Sequence, residues 1–372
     1  MRTGGSRSRR RDARFVAHRR FHPRARVLEF PSEMRTLRSF VLAAAALAAL
    51  LPLPLFAKPA PAHPGQAAFV REVVAASRTA GRPLTPREVD SELARAVFQP
   101  GIIELISRPA EKTRAWRDYR PIFMTDKRIG DGVAFYREHR ALLDEISAKY
   151  GVPAELIVAI IGVETNYGRI TGKYRVIDAL ATLAFYYPPR AEFFRGELKQ
   201  LLLLGAAPFP KRLHELQGSY AGAMGWGQFM PTSFAKYAKD HDGDGRIDLW
   251  GSKPDIFASI ANYFVGYGWQ TSAPVAHRAT RTRDARTIVP GGYEPVYSVG
   301  QLAQWGYPIK GGVKPETPAT LIALEGAGGT EYWVVQQNFY VITRYNRSPM
   351  YSMAVHQLAQ AIGQGAALAA SR

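Results

Sequence analysis

The chain has 372 residues, long enough for two or three packed units around a substantial core. It is 47% hydrophobic and 22% charged, as a globular protein should be, and it has no cysteine, which excludes disulfides, thiolate metal sites and cysteine nucleophiles. The formal net charge of +18 is uneven: residues 1–57 carry 12 basic and 3 acidic side chains, which leaves +9 for the remainder, a surplus suited to an anionic cell-envelope polymer, whereas no compact basic stripe points to nucleic acid.

Residues 1–33 are Arg-rich and without pattern, and are expected to be a disordered leader that translation from Met34 would omit. Residues 34–57, MRTLRSFVLAAAALAALLPLPLFA, read as a signal peptide. Arg35 and Arg38 form the basic region, 40–51 the apolar region, and small residues follow near Ala57. The apolar run is short for a membrane span and is closed by Pro52 and Pro54; a transmembrane anchor is the other reading. Without a cysteine no lipid can be attached at the cleavage site. The expectation is export to the periplasm as a soluble protein, with no integral membrane span in the mature form.

Residues 58–65, KPAPAHPG, form a linker. AAFVREVVAASRTAG then reads as a helix stopped by Gly81. A second helix opens at Thr85-Pro86-Arg87-Glu88, with Thr as N-cap, Pro at the first position and Glu at the third. Pro100 and Pro109 punctuate the next stretch of chain. The spacing predicts one helix over 132–151, then one opened by Pro153 as its first residue, then helices over 178–187, 192–205 and 258–268. From 270 to 340 the chain turns rich in Gly, Pro and short Thr/Val runs, and YWVVQQNFYVITRY alternates as strands do. MYSMAVHQLAQAIGQGAALAA closes the chain as a helix. The expected organisation is a helical region over 66–270, a small β-rich subdomain over 271–335 and a C-terminal segment, 336–372, returning to the core.

Glu164 ends the apolar run IVAIIGV, and burying an ionised carboxylate is expensive. It stands about three turns into its helix, with Gly168 as the expected stop. Partial desolvation and the negative end of the helix dipole both favour the protonated form, which is what a general acid needs. The other readings are a metal ligand, or a solvated glutamate paired with Arg169 or Lys173. A second stretch, GSYAGAMGWGQFMPTSF at 218–234, sets Ser219, Gln228 and aromatics among four glycines. Such a backbone allows close approach to a ligand, and amides with aromatics bind sugars; a tight packing element is the alternative.

DHDGDGRIDLWG, 240–251, matches an EF-hand loop. Asp240, Asp242 and Asp244 stand at positions 1, 3 and 5, Gly245 at the sharp turn, Arg246 offers a carbonyl at 7 and Asp248 stands at 9. Gly251 replaces the bidentate Glu at position 12, and Asp255 could supply the missing oxygens. The expected ion is Ca²⁺, in a buried structural site flanked by Tyr237 and Trp250. An Asx-rich turn is the alternative.

With these segments in view, the chain from about 66 to 370 resembles the lytic murein transglycosylase B family. The matching stretches are VPAELIVAIIGVETNYGR, DALATLAFYYPPRAEFF, GSYAGAMGWGQFMPTSF, DGDGRIDLW with ANYF, and NFYVITRYNRSPMYSMAVHQLA. The resemblance implies a mainly α (α+β) protein with a lysozyme-like core. It implies that Glu164 is the single catalytic acid/base, and that Ser219, Gln228, Tyr263, Tyr345, Asn346 and Tyr351 line a glycan groove with Tyr119 and Arg190 at its rim. It also implies that 240–248 is a structural calcium site, that no organic cofactor is needed, and that the partners are peptidoglycan strands, with cell-wall synthesis or remodelling proteins as further partners to consider. The implied reaction cuts the β-1,4 bond between N-acetylmuramic acid and N-acetylglucosamine and closes a 1,6-anhydro ring. A lysozyme-type hydrolase of the same fold and a non-catalytic glycan-binding protein remain the rivals. Two features depart from the family pattern: the missing lipid-anchor cysteine and the missing acid at loop position 12.

Overall fold

Local chemistry sets the first helices. The computed structural model describes residues 62–107 and 114–370, which fall within one compact unit, Pro59–Arg372. The leader 1–33, the signal-like segment 34–57, half of the 58–65 linker and Pro109 lie outside the described residues. Helix Pro86–Leu93 starts as its sequence demands: Thr85 Oγ1 accepts from the Glu88 N–H, and Glu88 Oε2 accepts from the Thr85 N–H at 2.7 Å. Helix Gln66–Thr79 precedes it and ends two residues before Gly81.

The stretch 132–151 is two helices, where one was expected. Asp126–Glu138 and Arg140–Tyr150 meet at His139, whose ring lies 4.5 Å from Phe135 and 5.7 Å from Phe257. The reason is tertiary. The first helix packs on the C-terminal helix Pro349–Ala370, the second on Lys253–Gly266, and one straight rod could not reach both. Gly151, at φ 67°, then stops the second helix.

The central helix is Ala154–Thr165, with Pro153 as its N-cap and not, as expected, its first residue. Nine of its twelve residues are buried, so it is apolar all round and surrounded by other elements. It stops earlier than Gly168: Asn166, Tyr167 and Gly168 take φ of 50°, 60° and 79° in succession. Tyr167 is held in this uncommon conformation by its own side chain. Its hydroxyl donates to the Arg128 carbonyl at 2.8 Å, and its ring covers Gly162, where a Cβ would lie 2.8 Å from the phenol. Helices Val176–Tyr186 and Ala191–Leu204 pack together in the same core, joined by the turn Pro188–Arg190.

A four-stranded antiparallel sheet runs in the spatial order Ala276–Ala279, Gly329–Gln336, Pro318–Gly326, Tyr297–Ser298. One face sets Ile322, Leu324 and Val335 on Trp116, Tyr119, Phe339 and Met353; the other holds Leu321 and Val334 on Leu302. The alternation expected over 332–345 ends at Gln336, and Gln337–Tyr345 is a helix. Burial there takes 338, 339, 341, 342 and 343, which is not a strand's alternation, and Asn338 fixes the start through bonds to the backbone of Gln270 and Ala273. The molecule is thus mainly helical, with this small sheet placed before its last two helices. No single described helix is long and apolar enough to cross a membrane.

Candidate active site

The site is assembled where the central helix runs out. Glu164, half-buried in the last turn, points at the C-terminal helix, and Tyr351 Oη donates to its Oε1 at 2.5 Å. Tyr351 is 3% exposed. Tyr345 lies beside it, its hydroxyl donating to the Gly227 carbonyl at 2.8 Å, and the Tyr263 ring lies tilted 4.6 Å from that of Tyr345 while its hydroxyl donates to the Arg344 carbonyl at 2.6 Å. Burial pushes the Tyr345 and Tyr351 phenols well above the usual range, and the neighbouring Glu164 charge adds to it. Both therefore stay neutral donors. Glu164 is the one carboxylate whose charge bears on either phenol among the described residues. Gly227 keeps this approach close: a Cβ would stand 3.0 Å from the Tyr345 hydroxyl, a tight contact.

The glycine-rich segment turns one wall toward this cluster. Thr165 Oγ1 donates to the Trp226 carbonyl at 3.1 Å, which ties the segment to the helix end. Gln228, a non-glycine residue at φ 51°, spends its amide nitrogen on the carbonyls of Thr171 and Gly225. That leaves Oε1 as an acceptor. Ser219 Oγ accepts from the N–H groups of Ala221 and Ala223, which leaves its proton to donate. The two side chains flank the same bend: Gly172 lies against Gly218 and Ser219 so closely that a Cβ would come within 2.0 Å of the Gly218 carbonyl.

Three expected groove residues are placed differently from the rest. Tyr119, expected at a rim, is only 3% exposed, and its charge bears on Tyr351. Arg190 is exposed and lies over the rings of Phe193 and Phe194 at 4.4 and 5.0 Å; no described bond joins it to the Glu164 cluster. Asn346 is half-buried, and its side chain makes no hydrogen bond among the described residues. Thr165 was not anticipated as a site-building residue. Its hydroxyl also accepts the Gly168 N–H at 3.1 Å and so shapes the chain just past Glu164. The sequence signal was a lone Thr in an apolar run.

The acidic loop is organised apart from these tyrosines. Carboxylate oxygens of Asp240, Asp242 and Asp244 lie within 4.8 Å of one another. Two oxygens on one Ca²⁺ at ~2.4 Å can stand no further apart than about 4.8 Å, so the residues fit the ion. They are exposed, against the expectation of a buried site, because the loop turns its carboxylates outward while Tyr237 belongs to the core. Asp255 also departs from its expected part as a ligand. It is 1% exposed, and its two oxygens accept the N–H groups of His241 and Asp248, both at 2.8 Å. Its oxygens are committed to the loop backbone. Asp248 Oδ1 likewise caps Trp250 and Gly251. Ser252 Oγ donates to Asp242 Oδ2 at 2.7 Å, a partner that the S-x-x-D cap of the next helix could have signalled.

A family model described as "Transglycosylase SLT domain" matches residues 66–360. The chain is similar to the membrane-bound lytic murein transglycosylase B of Escherichia coli, 44% identical over 257 residues, which is 69% of this chain and 70% of that protein. Its fold is similar to the crystal structure of soluble lytic transglycosylase SltB1 from Pseudomonas aeruginosa, with a TM-score of 0.74, 46% identity, and coverage of 81% of this chain and 99% of that one. It is also similar to the Escherichia coli lytic transglycosylase Slt35 in complex with calcium, with a TM-score of 0.72, 38% identity, and coverage of 82% and 94%.

Proposed function

From the premise that this chain belongs to the lytic murein transglycosylases carrying the transglycosylase SLT domain, we propose that Glu164 alone gives and takes the proton in cleavage of the glycan strand. The chain is an enzyme of peptidoglycan. Glu164 in its acid form protonates the bridging oxygen as the bond from N-acetylmuramic acid C1 to that oxygen breaks. The carboxylate so formed takes the proton of the muramoyl C6 hydroxyl, whose oxygen attacks C1 and closes the 1,6-anhydro ring. No water is consumed, and no organic cofactor is needed for a proton transfer of this kind.

One observation carries this reading: a single carboxylate, at the end of a buried apolar helix, held by the phenol of Tyr351. Hydrolysing glycosidases pair two carboxylates. The Tyr351 hydroxyl donates to the carboxylate that must act as base. Tyr263 and Tyr345, committed to backbone carbonyls, would serve as groove wall. Ser219 as donor and Gln228 as acceptor match the C=O and N–H of an acetamido group, which both sugars carry. Arg190 and Asn346 would contact the strand further along, while Tyr119, 3% exposed, would back the groove through Tyr351.

Asp240, Asp242 and Asp244, with the Arg246 carbonyl and Asp248, would hold a structural calcium ion, as the loop spacing and the carboxylate separation support. Residues 34–57 support export to the periplasm. The three-part division at 66–270, 271–335 and 336–372 is retained as the domain organisation, supported by the confinement of the larger sheet to Ala276–Gln336.

Mass spectrometry of digested sacculi tests the chemistry. The expected products are anhydro-muropeptides, lighter by one water than reducing-end products, from the wild type and none from Glu164→Gln. Reducing ends from the wild type would make it a hydrolase, and anhydro products from Glu164→Gln would remove Glu164 from its role.

A further inference from the structure

The central helix, Ala154–Thr165, ends with no basic residue in its last turn. Its final carbonyls form a negative helix end just where Glu164 stands. The compensating charge comes from another helix. Arg128, in the first turn of Asp126–Glu138, reaches across and donates through Nη1 to the Gly162 carbonyl, two residues before Glu164. That carbonyl also accepts the Asn166 N–H at 3.2 Å, so both of its lone pairs are used.

The guanidinium is held from several sides. The Arg128 N–H donates to Thr125 Oγ1 at 3.1 Å, and the Arg128 carbonyl accepts the Tyr167 hydroxyl at 2.8 Å. The Tyr167 ring lies on Gly162, so Arg128, Gly162 and Tyr167 close a triangle with no room for a further side chain. On its other side the guanidinium lies 5.5 Å from the Phe123 ring. No carboxylate pairs with Arg128 among the described residues. Asp131, on the same helix, accepts from Lys127 at 2.9 Å and from Arg169 at 2.6 Å. Facing Glu164 are phenols: Tyr351 from the C-terminal helix and Tyr345 from Gln337–Tyr345, with Tyr119 and Tyr263 behind them. Arg344 turns to the Tyr340 ring, 4.2 Å away. The charge of Arg128 is thus spent on the helix end.

We propose that Arg128 is a positioning residue of the cleaving machinery, its charge fixed at the helix end so as to set how readily Glu164 releases and regains its proton. The inference rests on the reading of Glu164 as the cleaving residue and deepens it. Glu164 gives a proton in one step and takes one in the next, so neither form can be strongly favoured. The helix end favours the acid form, and the guanidinium pulls back toward the carboxylate. No described bond joins Arg128 to the Glu164 carboxylate, so it acts through the helix end.

The test follows kcat/KM on purified glycan strands against pH, with the Glu164 carboxyl titrated in parallel by carbon-13 NMR. The alkaline limb reports the acid that must be protonated. Arg128→Gln removes the charge, so the acid form persists to higher pH. The limb and the NMR titration are both expected to rise by about half a pH unit. Arg128→Lys keeps the charge and is expected to restore most of the wild-type position. A Gln variant that titrates as the wild type does, or a shift of equal size in both variants, overturns the proposal; the second result would leave Arg128 a packing role alone. An NMR titration that rises while the limb stays in place would instead take the acid role from Glu164.

Discussion

At the scale of single residues, the proposed chemistry rests on Glu164 and on the Tyr351 hydroxyl bonded to it. The carboxylate stood out because an acid closing an apolar run is uncommon, but the run left its role open and only the family resemblance implied acid/base work. Its partner did not stand out, because the two stand 187 positions apart and no local pattern encodes that pairing. Tyr351 was expected in the groove only through the family resemblance, and the bond to Glu164 is the structure's addition. Tyr351→Phe removes one hydroxyl and keeps the ring packing. The expected outcome is a fall in kcat of about ten- to a hundredfold with KM within about twofold, measured by steady-state release of soluble muropeptides. A raised KM with kcat intact would mean that Tyr351 grips the sugar, not the acid. Asp255 shows the opposite failure. Its nearness in sequence to the acidic loop suggested a ligand, and only the hydrogen bonds of its buried carboxylate reveal where its oxygens go.

Among the elements, some capping signals were read well, the Pro153 and Gly168 signals were read a residue or more off, and tertiary breaks were missed. The Thr85 cap and the Gly151 stop are local chemistry and appear where the sequence places them. The break at His139 and the strand-to-helix switch at Gln336 are set by what each half packs against, so period alone missed both. The C-terminal helix carries a testable weakness where it meets the sheet. His356 is 8% exposed, its Nε2 is unpartnered, and nearby Gln336 bonds His277 at 3.3 Å with its own Oε1 unsatisfied. Burial first, and the His277 charge second, bring His356 down from 6.5 to about 4. A folded pKa below the unfolded one means that stability is complete above 6.5 and is lost as pH falls toward 4. The loss approaches about 3 kcal/mol. Thermal melts at pH 7 and about pH 4.5 should show a larger drop for the wild type than for His356→Gln. Equal drops would remove His356 from the acid sensitivity.

For the whole molecule, the calcium site proposed at 240–251 would link ion binding to global stability. Calcium at a hundredfold above Kd adds about 2.7 kcal/mol, which in a chain of this size raises Tm by about 5 °C. That rise should appear on adding calcium to chelator-treated wild type and be absent in Asp240→Ala. A shift that survives Asp240→Ala would place the ion elsewhere. Asp255→Ala should lower Tm even under chelator, since it deletes two bonds to buried backbone. One carboxylate, anchored inside a helix, fastens the loop near its beginning and again seven residues later. The polypeptide carries its own mould, so an ion bound as proposed would be a tenant in it. Its loss would then leave the loop's backbone fastened by Asp255, with no refolding to wait for before the next ion entered.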